Sequence, residues 1–214
     1  MAGTLGRRLI ARAAGMCLVA GFVDAIGYTE LGAVFAANMT GNSVLMAIAM
    51  VRGQFAHAAS YGVTLASFIA GAVIAAILRR LSGRAAVPLI CATALLLAAT
   101  MVRTTADIRL ALLAMTMGFQ GAAVSRFGSI NLQTVVVTGT LVRLAENCVD
   151  RILPTKQAPE PGAVRLHLAA WIVYGAGAAV AIVLQHVMRR PLFIAVIVLL
   201  LVTIDVARDE RRAR

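Results

Sequence analysis

Asp24 is the residue best placed to do chemistry, because it is a carboxylate set inside the apolar run 11–28. A charge at the centre of a membrane helix costs about 2.5–3.5 kcal/mol on insertion scales, so a partner, water or a proton must offset it. One reading is a proton- or cation-responsive group facing a cavity. The plainer one is a carboxylate solvated near a helix end, since Tyr28 and Glu30 follow closely. A second group, Asn38, Thr40, Asn42 and Ser43, supplies donors and acceptors without the cost of a charge. Asn131, Gln133, Thr138 and Thr140 form its counterpart further along the chain. Gly41 and Gly139 read as helix breaks within these groups. Freed N–H groups there would meet an anion, and freed carbonyls a cation. The competing reading is polar glue between helices. Gln120 completes the candidate binding residues. Arg126 is either a charge partner for Asp24 or a boundary residue reaching the headgroups.

No catalytic constellation accompanies these groups. The chain has no HExxH, GxSxG or phosphate-loop motif and no paired intramembrane carboxylates, so no enzyme is expected. His57, His167 and His186 are isolated near element ends. Cys17, Cys91 and Cys148 are odd in number, far apart and free of CxxC or Cys/His spacing. Neither a metal nor a cofactor is expected.

Composition says what must hold these residues. The chain has 214 residues, 61% hydrophobic and 14% charged, with a mean hydropathy of +0.89. Soluble domains sit nearer about half apolar and a quarter charged. A soluble enzyme, a secreted disulfide scaffold, a coiled coil and a disordered tail are excluded, and an integral membrane protein remains. The net charge of +11 lies mostly between and beside apolar runs, as the positive-inside bias predicts, so nucleic acid is not an expected partner. Arg7-Arg8 precedes a run interrupted by Asp24 and without an A-x-A cleavage site. It reads as the cytoplasmic flank of a first membrane helix rather than a cleaved leader.

Polar punctuation leaves eight apolar elements, at 11–28, 31–51, 58–78, 87–102, 109–126, 130–149, 165–188 and 191–206. All read as helices, because a barrel would alternate with period two. They fall into two matching sets. Gly21-Phe22 recurs as Gly118-Phe119, and Thr40-Gly41 as Thr138-Gly139. The stretch 68–72 aligns with 174–178, and Pro88-Leu89 with Pro191-Leu192. Each pair is offset by about 100 residues, in one order. The expected fold is therefore an all-α polytopic bundle of two fused repeats, residues 1–106 and 107–214. Small-xxx-small packing is expected at Gly71 with Ala75 and at Gly175 with Ala179.

The second and sixth elements carry Asn, Thr and Gly in mid-run, which lipid-facing helices do not tolerate. If they are broken or re-entrant, the chain makes six full spans and the repeats are inverted. If they cross, it makes eight and the repeats are parallel. Counting Lys and Arg leaves a similar excess on the N-terminal side either way, so charge does not arbitrate.

The block Gly21-Phe22-Val23-Asp24-Ala25-Ile26-Gly27-Tyr28, followed by Asn38-Met39-Thr40-Gly41-Asn42, resembles the hallmark of the YoaK family. Gly118-Phe119-Gln120 with Thr138-Gly139-Thr140 resembles the family's second signature, and the similarity covers nearly the whole chain. Where that signature leads one to expect Asn, near residue 121, this chain has Gly121. The resemblance implies a multi-spanning bacterial inner-membrane protein and brings no substrate. The expected function is secondary transport or permeation of a small solute, with the N-terminus cytoplasmic and Asp24 as the coupling residue. The rival is a non-transporting scaffold or regulatory subunit. The bilayer and an unidentified solute are the expected partners. Chains this short often work as dimers, so a homodimer is a further expectation.

Overall fold

A backbone with no water to bond to must satisfy itself, which makes each apolar run a helix. The computed structural model describes residues 2–102, 105–124, 126–127, 130–131, 137–152 and 163–212. Among them lie α1 (Ala2–Glu30), α2 (Met39–Val51), α3 (Phe55–Ser82), α4 (Ala86–Met101), α5 (Ala106–Ala123), α6 (Val137–Ile152), α7 (Ala163–Val187) and α8 (Leu192–Arg212). Two elements depart from the sequence reading. A short antiparallel ladder, β1 (Arg126–Phe127) with β2 (Ile130–Asn131), stands between α5 and α6, so the run 130–149 is not one helix. A β-branched, polar stretch has little reason to remain helical there. The run 31–51 also divides, since residues 31–38 are non-helical and only α2 coils.

Contacts at the helix ends fix the direction of each helix. At the Glu30 end, Arg109 of α5 lies 3.9 Å from Glu30. There Ser60 of α3 donates to Asp107 of α5 at 2.8 Å, and Gln185 of α7 donates to Thr29 of α1 at 2.7 Å. Arg190, before α8, reaches Met101 at the end of α4. At the opposite, Arg12 end, Arg12 of α1 pairs with Asp205 at 2.6 Å and Asp209 at 3.0 Å on α8. There too Arg79 of α3 donates to the Ala123 carbonyl of α5 at 3.3 Å, and the Ala85 N–H before α4 donates to Glu210 at 2.6 Å. Hence α1, α4 and α7 run toward the Glu30 end, and α3, α5 and α8 run away from it.

Glycines let the principal helix pairs touch backbone to backbone. On α1 and α7, Gly21 faces the Tyr174 carbonyl and Gly177 faces that of Leu18. On α3 and α5, Gly71 faces the Met115 carbonyl and Gly118 that of Phe68. Gly71 and Ala75 are both buried, as their spacing predicts. Gly175 is not at a seam: a Cβ there meets nothing within 4 Å, and Gly177 with buried Ala181 takes that place. Helix α1 forms the centre, with Met16, Val19, Phe22, Val23 and Ile26 fully enclosed. Outward stripes at helical spacing, such as Ile69, Val73 and Ile77 on α3, leave apolar surface for lipid.

By length and composition, three helices among the described residues can cross a membrane: Arg8–Glu30, Phe55–Ser82 and Val164–Val187. The expected six full spans are not all met by that measure. Helix α4 has 16 residues, α5 opens with Asp107 and Arg109, and α8 ends in a charged turn. Helix α2, with 13 residues, is about 20 Å long and too short for a hydrocarbon core of about 30 Å.

Candidate functional site

The chain turns sharply after α1 because Gly32 and Ala33 adopt left-handed backbone, with φ of 87° and 58°. Residues 31–38 then fold back along the last turns of α1. Gly27 lies against the Val34 carbonyl, where a Cβ would stand 2.6 Å away. The descending arm ends beside Asp24, and α2 starts there. Tyr28 stacks on Phe35 with ring centroids 4.9 Å apart, and Tyr61 of α3 donates to the Ala33 carbonyl at 3.4 Å.

Asp24 is 3% exposed, and both its oxygens are occupied. Oδ1 accepts from the Ala37 N–H at 2.5 Å and the Asn38 N–H at 3.3 Å. Oδ2 accepts from the Tyr174 hydroxyl at 2.5 Å. The carboxylate thus sits at the N-terminus of α2, where free N–H groups and the helix dipole favour a negative charge. This is how the chain offsets the cost of a charge inside the bundle. The carboxylate does not lie at a solvated interface; the backbone of Arg126, the other expected partner, is in β1, and its side chain lies outside the described residues.

The Asn-Met-Thr-Gly-Asn block builds this turn. Asn38 caps α2 by accepting from the Gly41 N–H at 3.1 Å. Asn42, fully buried, brackets Phe35: its amide donates to the Phe35 carbonyl at 2.6 Å and accepts from the Phe35 N–H at 2.9 Å. Thr40 and Ser43 point outward. Gly41 is no helix break. It lies in the first turn of α2, where a Cβ would stand 2.9 Å from the Asn38 amide, so the residue keeps the cap close. Gly139 is likewise inside the first turn of α6 rather than at a break. Helix α2 starts just before Gly41 because residues 31–38, not the glycine, leave the helix.

Of the remaining candidates, Gln120 does not join this cluster. Gln120 is fully buried on α5 and donates to the Met16 carbonyl at 2.9 Å. Met16 lies eight residues below Asp24, about 12 Å along α1. The Gln120 Oε1 has no partner among the described residues. Thr140 is buried on α6, and Asn131 lies in β2. The side chains of Asn131 and Thr138, and all of Gln133, lie outside the described residues.

Tyr174 is the residue that sequence reasoning missed as part of the site. The signal was in the alignment of the two halves. Tyr174 matches Phe68 and Asp24 matches Gly121, so the matching seam of α3 with α5 lacks hydroxyl and carboxylate together. Arg12 and Glu210 were also missed, because their partners lie on the far end of the chain. Glu210 caps α4 much as Asp24 caps α2.

Long apolar helices with lipid-facing stripes, closing over a buried carboxylate, define a polytopic membrane protein. The chain belongs to the family described as "Protein of unknown function (DUF1275)", which matches residues 13–204. The UPF0700 transmembrane protein YoaK of Bacillus subtilis (strain 168) is 33% identical over 153 residues, 66% of this chain and 68% of that protein. The resemblance carried by the Asp24 and Asn-Met-Thr-Gly-Asn segments is thereby borne out. No solved structure matches the chain.

Proposed function

We propose that this protein is a secondary transporter or permease of a small solute in the bacterial inner membrane. The observation that carries the reading is the dip of residues 31–38 along α1 to a buried carboxylate, with the short α2 returning from it. Carriers place such discontinuous helices at a central site. The helix directions support two inverted repeats, since α1 and α5, α3 and α7, and α4 and α8 each run oppositely. The packing supports the same symmetry: α1 meets α7 as α5 meets α3, with the repeat-related glycines at both seams. On this reading α2 and α6 are re-entrant and the other six helices cross. Arg12, Arg79, Arg80 and Arg84 gather at the Arg12 end, which supports a cytoplasmic location for that end and the N-terminus.

Asp24 would couple transport through its charge. Protonation removes the negative charge that the N-terminus of α2 and its dipole stabilise, so the dipping arm is held less tightly. The test is flux, because a purely structural cap would make the same hydrogen bonds. Vesicles holding the purified protein are loaded with a bacterial small-molecule extract, and losses are followed by mass spectrometry. At least one solute is expected to leave faster than from empty vesicles, and Asp24→Asn is expected to slow it. No solute leaving faster, with the protein folded, overturns the reading in favour of a scaffold.

Sidedness is checked separately. On a background without Cys17, Cys91 and Cys148, an impermeant thiol reagent applied to intact cells is expected to label a cysteine at Met188 and spare one at Ser82. Labelling of both from one side would remove the inverted arrangement.

A further inference from the structure

We infer that the cavity at the Glu30 end binds a phosphate-bearing anion. The cavity has a volume of about 650 Å³ and lies where the ends of α1, α4 and α5 meet the start of α8. Ligand pockets run to about 300–1,000 Å³, so it suits a phosphorylated group rather than a bare ion. Its charge is lopsided. Arg109, Arg189 and Arg190 line it against a single carboxylate, Glu30. Glu30 reaches only Arg109, at 3.9 Å, and among the described residues no carboxylate pairs with Arg189 or Arg190. Among the described residues the Arg190 guanidinium donates to the Met101 sulfur at 3.8 Å, a weak acceptor.

Guanidinium forks match phosphate oxygens bidentately, and three around one space are what a doubly charged group requires. Leu192 brings the N-terminus of α8, whose dipole favours an anion. Basic residues are sparse at this end, yet these three converge on one cavity instead of spreading over the rim. The inference is independent of the transport reading, since a lipid headgroup or a soluble phosphate would present the same chemistry.

The test uses the full chain in phospholipid-free detergent, read by thermal unfolding. The probes are inorganic phosphate, glycerol phosphate and dihexanoyl phosphatidylglycerol, each against sodium chloride at equal ionic strength. At least one phosphate-bearing probe is expected to raise Tm where chloride does not. The double substitution Arg189→Gln/Arg190→Gln is expected to weaken its apparent affinity at least about tenfold. Glu30→Gln is expected to strengthen it several-fold, a gain that a structural role would not give. Stabilisation by glycerol phosphate identifies a soluble anion; stabilisation by the lipid alone identifies a headgroup. Both arginines are exposed, and Arg109→Gln serves as a second variant should the double one fail to fold. The proposal is overturned if no probe exceeds chloride, or if the arginine variants respond as the parent does.

Discussion

Gly177→Ala is expected to cost at least about 2–3 kcal/mol and to lower the melting temperature more than any single surface change. A Cβ at that position would stand 3.0 Å from the Leu18 Cα and closer still to the Leu18 carbonyl oxygen. These are backbone atoms and cannot turn aside as a side chain can. Relief requires α1 and α7 to separate along their whole crossing. In lipid, close packing rather than water exclusion holds helices together, so separation removes the main attraction. Gly175→Ala is the matched control, two residues away on the same helix. It meets no atom within 4 Å and removes a helix-disfavouring glycine, so its melting temperature should stay level or rise slightly. Fluorescence-detected thermal unfolding of the two variants in detergent separates them. Equal losses would mean that the seam is not the stabilising contact.

That pair of glycines also illustrates what a sequence can and cannot disclose. The apolar runs, the oddity of residues 36–43 and the cost of Asp24 were legible, because the bilayer penalises polar groups wherever they point. The register of packing was not. Gly175 and Gly177 are equally small, and only the crossing of α1 on α7 selects the second. The place of the helix break was hidden for a related reason. Gly41 looks like the breaker, but the left-handed backbone at Gly32 and Ala33 turns the chain, and a left-handed alanine is not foreseeable from its type. Gln120 and Asp24 looked like one site because both are polar in repeat-related signatures. Their separation along α1 follows from the partners each finds, a carbonyl in one case and a helix terminus in the other. Tyr174 required both kinds of information: its alignment with Phe68, and the fold that carries its hydroxyl to Asp24.

Asp24→Ala is expected to destabilise the protein by about 3–5 kcal/mol, since each buried donor left without an acceptor costs about 1–3 kcal/mol. The substitution leaves the Ala37 N–H, the Asn38 N–H and the Tyr174 hydroxyl without their acceptor in a site closed to water. Asp24→Asn should lose less than half of that, because its carbonyl oxygen still accepts from the start of α2 and the Tyr174 oxygen can accept from the new amide. Tyr174→Phe leaves Oδ2 buried without its donor and should cost about 1–3 kcal/mol. The decisive variant is the double substitution Asp24→Ala/Tyr174→Phe. Once the carboxylate is gone, the hydroxyl is itself an unsatisfied buried group, so its removal should cost little or restore some stability. The double variant should therefore fall short of the sum of the singles by about 1 kcal/mol or more. The symmetry-related seam of α3 with α5 already holds the double replacement, with Gly121 and Phe68 in the matching places. Strict additivity in the thermal unfolding of the four variants would mean that the two residues act separately. The paired loss at the α3–α5 seam would then be coincidence rather than the discarding of one coupled unit.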